Sequence, residues 1–113
     1  MDTLAQYRQI IVETLNKYAE LLNRSSSVKQ QATVVSDQSS DHYLLTLLGW
    51  RGTHRIKGNI VHIRLADEKV WIEEDSLENG IATDLMKAGI PKEAIVLAFY
   101  HPDMRPLTEF AVA

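Results

Sequence analysis

Few residues in this chain have the types and spacing that chemistry requires. Its four histidines are His42, His54, His62 and His101. None forms a helical HxxxH or HExxH pair, and no cysteine accompanies them, so no zinc-type ligand set is visible. His62 lies in an apolar strand-like run, where a hydrogen-bonded structural histidine is the commoner role. His42 and His54 flank turns and are expected to face solvent. The stretch "WIEEDSLE" gathers Glu73, Glu74, Asp75 and Glu78. Carboxylates at a strand end can hold Mg²⁺ for phosphodiester chemistry. Strand alternation, however, sends Glu73 and Glu74 to opposite faces, and Asp75 and Glu78 read as helix-start residues. "DEK" at 67–69 falls in a turn and lacks the spacing of a carboxylate-x-lysine strand motif.

Other reactive patterns are weaker. "GWRG" and "KGN" lack the spacing and the strand-to-helix setting of a phosphate cradle. There is no nucleophile elbow, and the serines cluster in turns. Trp50 and Trp71 could stack on bases, although large aromatics in strands usually serve a sheet face or core. Arg51, Arg55 and Lys57 surround one turn and form a small basic patch. "HPD" at 101–103 matches a co-chaperone tripeptide, but the run "IVLAFY" before it is extended rather than helical, so the match is taken as chance.

Bulk properties narrow the classes. A chain of 113 residues fits one domain, 1–113, and at that size a fold buries roughly 65% of its unfolded surface. Apolar residues are 45% and charged residues 24%, a globular composition. The absence of cysteine excludes disulfides and thiolate chemistry. No run approaches the 18 or so apolar residues of a membrane span. These features point to a soluble cytoplasmic protein that does not engage membranes. Net charge is −3, from 15 acidic and 12 basic residues, which leans against autonomous DNA binding and towards weak duplex contact at most.

Periodicity supplies the elements. Leu4, Tyr7, Ile11, Leu15, Tyr18 and Leu22 recur at helical steps, widened by Ile10 and Leu21, and predict a helix over 3–23. Thr3 and Gln6 form a capping-box pattern, and "NRSSS" at 23–27 a terminating turn. "QATVV" at 31–35 reads as a short edge strand that leaves homodimerisation open. "HYLLTLLGW" at 42–50 is apolar on both parities, as in a strand covered on most of both faces. The 54–65 segment changes parity near Gly58 and Asn59, where a bulge is expected. After "ADEK", the strand "KVWIEE" at 69–74 completes antiparallel hairpins. Asp75 or Ser76 then caps a second helix that turns Ile81, Leu85 and Met86 inward and ends at Gly89. Pro91 opens one further turn, and "AIVLAF" forms a final strand. The class is α+β: a long N-terminal helix on an antiparallel meander, a second helix, a final strand and a docked tail. In that tail, Leu107, Phe110 and Val112 are expected to pack. His101, Asp103, Arg105 and Glu109 are expected to stay near the surface as a candidate partner surface.

The stretches "DHYLL…GW", "VHI", "WI…D" followed by "GIA", "AGIPKE.IVLAF" and the closing "R…TEFAVA" carry a resemblance over nearly the whole chain. It resembles the XisI family, the fdxN element excision controlling factor proteins of cyanobacteria. The turn Asp67-Glu68-Lys69 departs from the more usual Asp-Gly. The resemblance implies an accessory or regulatory role in site-specific recombination that excises a DNA element. It implies a XisH-like partner of nuclease-like fold, acting beside a recombinase complex. It supplies no catalytic, metal-binding or cofactor-binding residues, and no cofactor is expected. Two alternatives stay open: a cryptic metal-dependent phosphodiesterase or nuclease using Asp75, Glu78 and His62 or His101, and direct DNA binding through Arg51, Arg55 and Lys57.

Overall fold

The computed structural model describes residues 2–24 and 29–113. Helix α1, Thr3–Arg24, buries Tyr7, Ile11, Thr14, Leu15 and Ala19, the expected three- and four-residue rhythm. Its cap differs from the expected one. Thr3 is already helical, and Asp2 fills the role: its Oδ1 accepts from Leu4 N at 3.2 Å and its carbonyl from Gln6 N at 3.1 Å. Leu21 also departs from expectation, standing 54% exposed where it lines the groove towards the second helix. Asn23 and Arg24 are still helical, and the rest of the expected turn, Ser25–Ser27, lies outside the described residues.

Strands β1 (Lys29–Asp37), β2 (His42–Arg51), β3 (His54–Ala66) and β4 (Lys69–Asp75) form an antiparallel meander. A short α2 (Ala82–Lys87) and a 3₁₀ turn (Lys92–Ala94) lead to β5 (Ile95–Leu97), which pairs parallel to β4. The sheet order is β1-β2-β3-β4-β5. β1 is longer than expected and includes Lys29. Its outer border meets α1: Asn23 Nδ2 donates to the Ala32 carbonyl at 3.0 Å, and Ala32 N donates to Asn23 Oδ1 at 2.7 Å. A carboxamide thus stands where a neighbouring strand would pair.

Two bulges set the registers. Leu45 pairs with Val61 and Thr46 with Asn59, so Ile60 is the extra residue, beside the expected site. In β4, Ile63 pairs with Ile72 and His62 with Glu74, so Glu73 is extra. Between β3 and β4, Asp67 and Glu68 take φ of 54° and 62°, the left-handed pair of a tight hairpin. At Gly49 the backbone of β1 comes so close that a Cβ would lie 2.3 Å from the Lys29 carbonyl.

One sheet face carries Tyr43, Leu45, Val61, Ile63, Leu65, Val70 and Ile72, all in a single core with Ile11 and Leu15 of α1 and Leu85 of α2. Among the described residues neither α1 nor α2 covers the other face of β2. Leu48 and Trp50 are therefore 43% and 48% exposed, which corrects the expectation of a strand covered on most of both faces. α2 begins later than expected, and neither Asp75 nor Ser76 caps it. Asp75 instead accepts from Leu77 N at 3.1 Å and Ile81 N at 2.7 Å, ordering the preceding loop, where Glu78 is exposed. The helix ends as expected: Gly89 has φ 119°, Gly89 N donates to the Met86 carbonyl, and Ile90 N to the Leu85 carbonyl.

Candidate functional site

The C-terminal segment is ordered by backbone contacts. Ala111 N donates to the Ile95 carbonyl at 2.8 Å and forms a parallel bridge with Val96. Phe110 packs against the core. Leu107 and Val112 do not dock: they are 79% and 52% exposed. Phe99, Tyr100 and Met104 are exposed as well, and the Phe99 and Tyr100 rings lie 4.7 Å apart. Between them runs a 3₁₀ segment, Pro102–Leu107, kept in shape by two prolines.

Of the four expected surface residues, His101, Asp103 and Glu109 are exposed. His101 Nδ1 accepts from Asp103 N at 3.1 Å, so the imidazole caps the 3₁₀ segment. Arg105 sits deeper than expected. Its Nε donates to the Tyr100 carbonyl and its Nη2 to the Ala98 carbonyl, both at 3.1 Å. Its guanidinium carbon lies 5.7 Å from the centre of the Trp71 ring. Arg105 therefore holds the segment from behind while the apolar side chains face out.

The residues of the phosphodiesterase alternative fall in separate settings. Asp75 pairs with Val61 on the core face, whereas the neighbouring His62 points to the open face with Glu74 opposite. His42, expected in solvent, is half-buried, and its Nδ1 lies 2.9 Å from His62 Nε2. Burial, and then the neighbouring His42, hold the His62 imidazole below its ordinary pKa. Glu73 accepts from Arg64 Nε at 3.0 Å on this same face, because the bulge breaks the alternation that would have separated it from Glu74. Among the described residues no group of three His, Asp or Glu side chains could hold a metal ion.

Two further clusters were not legible beforehand. Tyr18 donates to Asp84 Oδ2 at 2.5 Å, linking α1 to α2 beside a cavity of about 370 Å³ lined by Thr14, Lys17, Leu21 and Lys87. That bond, and then burial, push the phenol up to about 12. Arg8 clasps Asp41, with Tyr43 donating to the same carboxylate at 2.8 Å. No sequence spacing marks either pair.

Fold and site define an α+β domain whose helices cover one sheet face and whose end presents ordered, exposed apolar groups. The chain belongs to the XisI family: the model described as XisI protein matches residues 1–112. It is similar to the solved fdxN element excision controlling factor XisI from Anabaena variabilis ATCC 29413. Identity there is 38%, coverage 99% of this chain and 100% of that one, and the TM-score 0.83. A XisI-like protein from the same organism is 26% identical at TM-score 0.85, again covering 99% of this chain and 100% of that one. No curated protein matches. Among the described residues no helix is long and apolar enough to cross a membrane.

Proposed function

We propose that this protein is an accessory factor in cytoplasmic DNA-element excision that acts by binding rather than by catalysis, docking a XisH-like partner beside the recombinase. The observation that carries this reading is the C-terminal surface. Phe99, Tyr100, Met104, Leu107 and Val112 stand exposed on a segment fixed by Arg105 and Ala111. Ordered, exposed apolar side chains with a polar rim are the usual composition of a protein interface. The rim here is His101, Asp103 and Glu109. Similarity to a protein described as an excision controlling factor supports the role. Arg105 belongs to the surface as the residue that positions it.

The test is co-purification with the product of a neighbouring gene of XisH type. Met104→Asp with Leu107→Asp should abolish capture while leaving thermal melting unchanged, because both side chains are exposed. Undiminished capture by a folded double variant would remove this surface from the interface.

A further inference from the structure

The uncovered sheet face has a regular composition across its first three strands. Cross-strand partners share a face, and three successive rows read Lys29–Trp50–Arg55, Gln31–Leu48–Lys57 and Thr33–Thr46–Asn59. Eight of these nine residues are exposed, and Thr46 is half-buried. None is acidic. The segment from His42 to Ala66 holds four of the 12 basic residues and none of the 15 acidic ones. The net charge of −3 therefore averages a positive hairpin with a strongly negative remainder. Arg51 and His54 extend the positive end around the turn.

The centre of the first row is an aromatic ring already held in place. The Arg55 guanidinium carbon lies 5.0 Å from the Trp50 ring centre, and Arg55 Nη1 donates to the Gly49 carbonyl at 3.4 Å. A sheet face carrying an exposed indole, a guanidinium plane, flanking cations and neutral amide and hydroxyl groups matches what an unpaired polynucleotide presents. Phosphates meet the cations, base faces meet the indole and guanidinium, and base edges meet Gln31 and Asn59. A duplex keeps its base faces stacked and can use only the cations.

We propose that this face binds single-stranded nucleic acid, with Trp50 as the stacking platform and Lys29, Arg55 and Lys57 as phosphate contacts. The surface lies apart from the C-terminal one, so either assignment can fail without the other.

The experiment is fluorescence titration of the whole protein with a 15-nucleotide oligothymidine and with a duplex of equal length. The single strand should bind more tightly and quench tryptophan emission. Raising salt from about 50 to 200 mM should weaken binding roughly twentyfold, as expected for about three neutralised phosphates on a single strand. Trp50→Ala should weaken binding about tenfold or more and remove the quench, since Trp71 remains. Arg55→Ala with Lys57→Ala should weaken it by at least as much. Circular dichroism should show all variants folded, because the side chains are exposed. Absence of binding at 50 mM salt would overturn the proposal, as would a Trp50→Ala variant equal to wild type or tighter binding of the duplex. A dimer that Leu48→Asp splits, with no oligonucleotide bound, would assign the face to a second copy instead.

Discussion

Arg8 of α1 and Asp41 of the β1–β2 turn, 33 positions apart, meet through two parallel bonds, Nε to Oδ1 at 2.8 Å and Nη2 to Oδ2 at 3.0 Å. Asp41 takes φ 54°, so the turn itself aims the carboxylate at the helix. The Arg8 bond holds the Asp41 carboxyl below its usual range against the opposing effect of burial. Burial first, and then its bond to Asp41, push the Tyr43 phenol up to about 12.

Asp41→Asn keeps a residue that tolerates the left-handed backbone but removes the charge. The variant should melt below wild type at neutral pH. A depressed carboxyl contributes stability that is present above the unfolded value of about 3.9 and lost as pH falls through the lower folded value. The two melting curves should therefore converge in acid. Scanning calorimetry from neutral pH downward checks this, and a constant gap would contradict it.

The His42–His62 pair predicts a second pH effect. The folded state resists protonating His62, while the unfolded chain takes up the proton near about 6.5. This contribution is complete above that value and declines as pH falls below it. Glu73, Glu74 and Arg64 face the same site and modulate the shift without reversing it. A proton NMR titration should place His62 below the ordinary histidine value of about 6.5. Urea midpoints at pH 7.5 and 5.5 should differ less for His62→Gln.

Gly49→Ala should destabilise the protein by about 1–3 kcal/mol, the usual cost of forcing an atom into a packed region. The new Cβ would lie 2.3 Å from the Lys29 carbonyl and 2.6 Å from Gln30 Cα, both backbone atoms. Gly58→Ala, with nothing within 4 Å, is the control and should stay near neutral. Hydrogen exchange should show faster β1 amides in the first variant alone.

Tail residues should separate by burial. Phe110→Ala should cost about 1–3 kcal/mol, less than a fully buried aromatic, because Phe110 is only partly covered. Leu107→Ala should change stability by no more than about 0.5 kcal/mol. Arg105→Ala loses two carbonyl bonds and the Trp71 contact, at about 1–2 kcal/mol. Limited proteolysis should cut the Arg105 variant near residues 99–107 faster than wild type.

The sequence carried the elements better than their surroundings. Tyr7, Ile11 and Leu15 announced α1 because helical spacing is a local property, and Gly89 announced the end of α2 because a left-handed C′ position favours glycine. Leu48, Trp50, Leu107 and Val112 were misplaced for a common reason. An apolar side chain registers its preference for burial, not whether another element arrives to cover it. Glu73 was misplaced because nothing near it marks the β4 bulge, whereas Gly58 marked the one in β3. Arg105 resembled any surface arginine, since its partners are backbone carbonyls that have no residue-type signature. The Arg8–Asp41 and Tyr18–Asp84 links arise only when the chain closes on itself.

The two borders of the sheet are each met by another part of the chain, by unlike means. Asn23 occupies the middle of β1, and the returning chain end at Ala111 occupies β5. A strand adding along β1 would have to displace the Asn23 carboxamide from Ala32, and one adding along β5 would meet the bridge at Ala111. A second copy that approached the β1 border would meet a helix end before it met a free strand. A single carboxamide at the end of a helix so takes up the backbone groups that a pairing strand would need at Ala32.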